Sequence, residues 1–291
     1  MTKELDALVS LLGLEKIEEN LFRGQSQDLG WGTVFGGQVL GQALSAAVQT
    51  VPRERSVHSL HAYFLRPGDV SKPILYDVDR IRDGGSFNTR RIVAIQSGAP
   101  IFNMAASFHK TEPGFEHQDA MPDVPPPEQV PTEQERLLRA SDRVPRCVLE
   151  RFAGERAFEV RSVDKIDDLF HPSPLPPSRA VWLKTTAPVP GDSALHVSLL
   201  AYASDYAFVG TALFPHGVTF FSGEVQVASL DHVMWFHAPL RVDEWLLHVI
   251  DSPRASGSRG LVRGSIFTRD GVLVASTAQE GMIRKRTERA K

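Results

Sequence analysis

Residues 195–206, LHVSLLAYASDY, are apolar on nearly every side of a helical wheel, with Leu195, Val197, Leu199, Leu200, Ala201, Tyr202, Ala203 and Tyr206 leaving no wide polar stripe. A helix patterned this way is covered by protein on most of its surface. Residues 35–48 predict a second enclosed helix, in which Gly36, Gly37, Gly41, Ala43, Ala46 and Ala47 are small enough to let a sheet or a ligand approach closely. After each helix come runs with strand character, separated by turn signals. In the first half these are SVHSLHAYFL, KPILYDVDRIR, FNTRRIVAIQ and IFNMAASFHK, with RPGD, DGGS and SGAP between them. In the second half they are VQVASLDHVMWF, EWLLHVIDSP, SRGLVRGSIFTRDG and VLVASTAQEGMI. A leading helix over 2–12, one strand in LEKIEENLFRGQS and another in RAVWLKTTA complete the pattern. One helix followed by antiparallel strands is an α+β arrangement.

The two halves repeat one another. Laying VHSLHAYFLRP on VASLDHVMWFHAP pairs Ser59 with Ser229, 170 residues apart, and laying QSGAPIFNMAASF on RDGVLVASTAQEG pairs Gly98 with Gly271, 173 apart. Nearly equal offsets with the same order of elements imply an internal duplication, whose period is far too long for a solenoid. The expected organisation is a unit over 1–110, a proline- and acid-rich linker over 111–145 carrying one helical candidate, TEQERLLRA, and a second unit over 146–291. Two curved sheets, each around a central helix, would protect their open strands by joining edge to edge.

Composition narrows the setting. The chain has 291 residues, of which 42% are hydrophobic and 23% charged, an ordinary soluble globular make-up. A formal net charge of −3 gives no reason to expect nucleic-acid binding, and no membrane-spanning or signal-like run opens the sequence. The single cysteine, Cys147, excludes an intramolecular disulfide and fits a reducing compartment, so a cytoplasmic location is expected. In VPRCVLERF it reads as a small buried or half-buried residue.

Strong catalytic signatures are absent: there is no Gly-x-Ser-x-Gly elbow, Walker loop, dinucleotide-binding glycine fingerprint or His-Glu-x-x-His. The pairs His58/His61 and His232/His237 are oddly spaced on strand-like runs, which puts the members of each on opposite faces and argues against a metal site. No cofactor and no metal are expected. What stands out is Asp205, near the end of the enclosed helix, where the helix dipole is negative and apolar neighbours exclude water. Both effects disfavour the ionised carboxylate. Such a residue has a task, a partner, or the solvent access of a capping aspartate.

The stretches LEKIEENLFRGQS, VFGGQVLGQAL, VHSLHAYFLRPGD, GFEHQ, AYASDY, LDHVMWFH, EWLL and RDGVLVASTAQEG resemble, in order and almost end to end, the bacterial acyl-CoA thioesterase II family. The resemblance implies a double hotdog: two tandem units, each a curved antiparallel sheet wrapped around one long helix. It implies hydrolysis of fatty acyl-CoA to fatty acid and CoA, and a homo-oligomer, dimer or tetramer. It also implies a water-activating trio, carried over as Asp205 of the SDY motif, Ser229 before LDH and Gln279 before EG, with serine where many relatives have threonine. The chemistry is consistent: a carboxylate base for the water's proton, and two groups able to donate and accept hydrogen bonds. Strict alternation puts Asp231 on the face of Ser229 with Val225, Val227 and Val233, which makes Asp231 a competing carboxylate. In the first unit Ser59 matches Ser229, while Ala106 and Ala47 fall opposite Gln279 and Asp205, so that unit is expected to be scaffold. Arg66, Arg90, Arg91, Arg259 and Arg263 are candidates for the CoA nucleotide. The rival readings are a non-catalytic acyl-CoA binding protein and a hotdog hydratase or dehydratase; SDYAFVGTA lacks the histidine and Asn-Pro of the latter.

Overall fold

The computed structural model describes residues 2–139, 154, 156–164, 168, 170, 172–206 and 208–286. Cys147 lies outside the described residues. Helix α1 (Lys3–Leu12) is capped by the Thr2 side chain and buries Leu5, Leu8 and Leu12, spaced to share one face. The next segment is not the single strand its alternation suggests. It forms two short strands, β1 (Glu15–Glu18) and β2 (Leu21–Gly24), paired antiparallel around Glu19 and Asn20, because the polar Glu-Glu-Asn run turns the chain.

Helix α2 (Gly36–Val48) follows, then β3 (Arg55–Phe64), β4 (Ile74–Asp83), β5 (Phe87–Gln96) and β6 (Ala99–Lys110). After a short helix α3 (Glu133–Arg139), the second half contributes β7 (Phe158–Ser162), β8 (Ser178–Thr185) and helix α4 (Ser193–Ser204). A 3-10 stretch over Val209–His216 precedes β9 (Val225–Ser229), β10 (Asp231–Phe236), β11 (Leu246–Ser256), β12 (Arg259–Thr268) and β13 (Leu273–Lys285). All thirteen strands form one sheet in the order β1-β2-β4-β5-β6-β3-β10-β13-β12-β11-β8-β7, with β9 paired to β13 off that path. The order on one side of the β3–β10 seam is the reverse of the order on the other, as two copies related by a twofold axis require. Asp231 pairs with Tyr63 and Trp235 with Ser59 across that seam, so each sheet closes the open edge of its twin.

The two long helices lie against each other inside the sheet. A Cβ on Gly37 would come within 2.3 Å of the Tyr202 carbonyl oxygen, and one on Gly41 within 3.0 Å of that of Ser198. Glycine is therefore required for backbone to meet backbone. The stretch Ser193–His216 is long and apolar enough to cross a membrane, yet its most apolar part is mostly buried inside the protein, the pattern of a core helix. Leu40, Leu44, Leu60, Phe102, Phe108, Leu199 and Leu200 are wholly or almost wholly buried around this helix pair. Each such side chain contributes about 1.5–3 kcal/mol relative to exposure.

The described residues of the proline- and acid-rich stretch, 111–139, pack on the second half of the chain. Val130 joins Ala180, Trp182, Leu247 and Phe267 in a small core of its own, and Trp182 Nε1 donates to the Pro125 carbonyl across 2.9 Å. Gln118 bridges to Gly271 and Leu273, and Arg269 grips Glu128 with two hydrogen bonds.

Candidate active site

Asp205 is the residue that ends α4: its backbone N–H bonds back to the Ala203 carbonyl, and its side chain leaves the helix axis toward the sheet. Gln279, on β13 and 1% exposed, donates from Nε2 to Asp205 Oδ1 across 2.8 Å. The half-buried Ser229 hydroxyl, at the end of β9, lies near enough to the carboxylate to favour its charged form. The three side chains named by the resemblance therefore meet at one point, although 74 residues separate Asp205 from Gln279.

A fourth participant comes from the other half of the chain. The Gly37 N–H, in the first turn of α2, favours the charged form of the same carboxylate, and a Cβ on Gly36 would lie 2.7 Å from Asp205 Oδ2. The Phe35 residue before this helix gives no side-chain cap, so first-turn N–H groups are left to the site. The signal in the sequence is the Gly36-Gly37 pair, which permits close approach but does not by itself point to Asp205.

Two helix ends thus act on one carboxylate with opposite sign. The C-terminus of α4 disfavours its charge and the N-terminus of α2 favours it. Apolar surroundings decide the balance: Phe35 stacks on Tyr206 at 5.4 Å and meets Tyr202 edge-on at 5.2 Å, beside the carboxylate. Loss of water pushes the Asp205 pKa up to about 6, against the pull of Gln279, Gly37 and Ser229. Gln279 Oε1 is buried with no hydrogen-bond partner among the described residues.

Asp231 does not share the face of Ser229. The single strand expected over VQVASLDHVMWF breaks at Leu230: Ser229 pairs with Gly281, but Val233 pairs with Ala278, a slip of one residue. A one-residue bulge reverses the alternation, so the buried positions continue as His232 and Met234, and Asp231 and Val233 change sides. The Asp231 carboxylate accepts the Glu280 N–H at 2.6 Å and staples the bulge. A second bulge, between Val57 and Ser59, puts His58 on the outward face with His61, contrary to their odd spacing. His58 bonds Ser107 there. His232 is fully buried beside Ser204, and His237 bonds Ser276 at the surface. No group of three or more metal-ligating side chains occurs among the described residues.

The first unit lacks this constellation. Ala106 pairs with Arg90 as Gln279 pairs with Val262, which keeps the alignment of Ala106 with Gln279. Aligning α2 and α4 on their C-terminal caps sets Gln49, not Ala47, opposite Asp205. Both Gln49 and Ala47 lack a carboxylate, so the first unit has no base at this place under either alignment.

Of the five candidate arginines, Arg90 is excluded as a ligand for a nucleotide. It is 1% exposed and bonds the Thr50 hydroxyl and carbonyl, the Arg82 and Thr89 carbonyls, and Asp83, tying the β4–β5 hairpin to the end of α2. Arg91 pairs with Asp79 and Arg263 with Asp251, while Arg66 bonds the Pro100 carbonyl. Arg259 pairs with Glu280 at the surface.

With this geometry in view, known proteins fix the family. Residues 147–282 match the sequence profile described as acyl-CoA thioesterase, and residues 26–109 match that of the acyl-CoA thioesterase N-terminal domain. The chain is 46% identical to acyl-CoA thioesterase 2 of Haemophilus influenzae over 98% of its own length and 99% of the relative's. It is 42% identical to human acyl-coenzyme A thioesterase 8, over 95% of this chain and 88% of that one. The solved structure of an acyl-CoA thioesterase II from Mycobacterium marinum superposes with a TM-score of 0.79 at 42% identity, covering 98% of this chain and all of the other. The fold is a double hotdog, and the chain belongs to the acyl-CoA thioesterase family.

Proposed function

We propose that the protein hydrolyses fatty acyl-CoA to free fatty acid and CoA, with Asp205 as general base toward a water oriented by Ser229 and Gln279. The observation that carries this reading is the 2.8 Å bond from Gln279 Nε2 to Asp205 Oδ1, made to a carboxylate whose pKa is raised to about 6. Near neutral pH such a carboxylate is mostly ionised and yet a stronger base than an ordinary aspartate. Gln279 Oε1, buried and without a partner among the described residues, is the acceptor to which the same water can donate.

In this mechanism the water attacks the thioester carbonyl as Asp205 takes its proton. The charge that develops on the carbonyl oxygen lies toward the first turn of α2, whose Gly37 N–H already favours negative charge on Asp205. Collapse of the tetrahedral intermediate breaks the C–S bond, and the proton held by Asp205 goes to the departing thiolate. General-base action is worth about 10²- to 10⁴-fold, and orientation of the water adds to it. The second unit, 146–291, carries the chemistry, while the first, 1–110, supplies the N-terminus of α2 and the wall behind it. The single cysteine supports a cytoplasmic setting. Tyr63 and Trp235, 58% and 38% exposed at the seam, support association into a dimer or tetramer, which light scattering tests.

Release of free thiol from a fatty acyl-CoA, followed with a thiol reagent, tests the proposal. Steady release with equimolar fatty acid is expected. Tight binding of the thioester without release would favour a binding protein, and water addition to an enoyl-CoA without thiol release would favour a hydratase.

A further inference from the structure

The β9–β13 ribbon leads away from Asp205 toward a groove at its far end. Ser229 pairs with Gly281 beside the carboxylate, Val227 with Ile283, and Val225 with Lys285 at the groove. Four residues of strand separate Ser229 from Val225, about 13 Å. The groove has a volume of about 370 Å³ and an apolar floor that includes Leu213, Val225 and Ile283. Its rim carries His216, Arg259, Arg284 and Lys285, all exposed. Arg259 is held by Glu280, whereas no carboxylate lies within ion-pair distance of Arg284 or Lys285 among the described residues.

The ribbon between site and groove has an open side. The Phe64 N–H bonds to the Leu230 carbonyl, and beyond that point β9 pairs with β13 alone, so its second edge carries no strand among the described residues. An edge of this kind presents unpaired backbone N–H and C=O groups, to which an extended chain bearing amides can add as a strand would.

We propose that this groove binds the phosphorylated adenine nucleotide of the CoA thioester, with the pantetheine arm lying along the open edge of β9 and the thioester reaching Asp205. The inference rests on the hydrolase reading above, which requires a place for a polyanionic nucleotide at an arm's length from the base. Two cations at the rim, Arg284 and Lys285, without an ion pair among the described residues, supply the charge, and an apolar floor suits a purine face. Arg259 is shared between this role and its bond to Glu280. Arg66, Arg90, Arg91 and Arg263, bound to carbonyls or carboxylates elsewhere, are not needed for it.

The double variant Arg284→Glu/Lys285→Glu tests this with two substrates, a fatty acyl-CoA and the matching acyl-pantetheine, which lacks the nucleotide. Both residues are exposed at the end of a strand, so the core is untouched. The expected result is that the preference for acyl-CoA over acyl-pantetheine, as a ratio of kcat/KM values, falls roughly tenfold or more, since bonds to charged groups are among the stronger ones. A ratio equal to that of the wild type overturns the proposal. If the wild type hydrolyses neither thioester, the hydrolase reading has failed, and calorimetry with adenosine 3′,5′-bisphosphate decides the groove by itself. Binding by the wild type and roughly tenfold weaker binding by the variant supports the groove; equal binding, or none by the wild type, overturns it.

Discussion

The Cα of Gly36 faces the carboxylate of Asp205 so closely that a methyl group on it would stand 2.7 Å from Oδ2. The same methyl would lie 3.0 Å from the Phe64 ring, which blocks the easiest escape. Gly36→Ala therefore moves the base rather than the fold. A displacement approaching 1 Å costs about 10²-fold in rate, and kcat should fall by that order while the thermal midpoint changes little. Gly37→Ala is the contrast, because its methyl meets the Tyr202 carbonyl at 2.3 Å. That variant should lose stability along with activity, as circular dichroism melting would show.

The pH dependence follows from Asp205. Its pKa, about 6 in the folded protein against 3.8 for an ordinary aspartate, sets the acid limb of kcat/KM near pH 6, with activity lost below as the base is protonated. Gln279→Glu places a second carboxylate beside the first and should move that limb upward. A limb remaining near pH 4 would show that a different base operates.

Stability carries the same pKa with a definite sign. The folded protein holds the Asp205 proton more tightly than the unfolded chain does, so the ionised residue weakens the fold above pH 6. That penalty is relieved as pH falls from 6 toward 4. Asp205→Asn removes the penalty and should stabilise the protein at pH 7.5 by about 1–3 kcal/mol. Urea unfolding of the two proteins at pH 7.5 and pH 5 should show the gain shrinking at the lower pH.

Arg90 separates structure from binding. Its guanidinium satisfies the Thr50 carbonyl at the end of α2 and anchors Asp83, so Arg90→Met should cost about 2–4 kcal/mol in chemical denaturation. The KM for acyl-CoA should remain that of the wild type.

Much of this architecture was legible in the sequence, and the exceptions have physical causes. Helix α4 announced itself because a helix enclosed by a sheet has no polar stripe, and Asp205 stood out as the carboxylate at its end. The repeated order of helix and strands disclosed the duplication. The bulge at Leu230 was not visible, since VQVASLDHVMWF fits an uninterrupted strand; only its pairing with β13 shows the slip that separates Asp231 from Ser229. The burial of Arg90 is hidden for a similar reason. A charged residue on an alternating strand looks solvent-facing until the end of α2 supplies carbonyls to receive it. The part of Gly36 and Gly37 in the site depended on the antiparallel contact of two helices over 150 residues apart, which no local pattern encodes.

The central claim is that one carboxylate activates the water, and turnover of a fatty acyl-CoA by Asp205→Asn at pH 7.5, beside the wild type, tests it most directly. Asparagine preserves the shape and can accept a bond from Gln279, but it cannot take a proton. The predicted result is a loss of about 10²- to 10⁴-fold in kcat, with the acyl-CoA still bound. Wild-type turnover by this variant would contradict the mechanism.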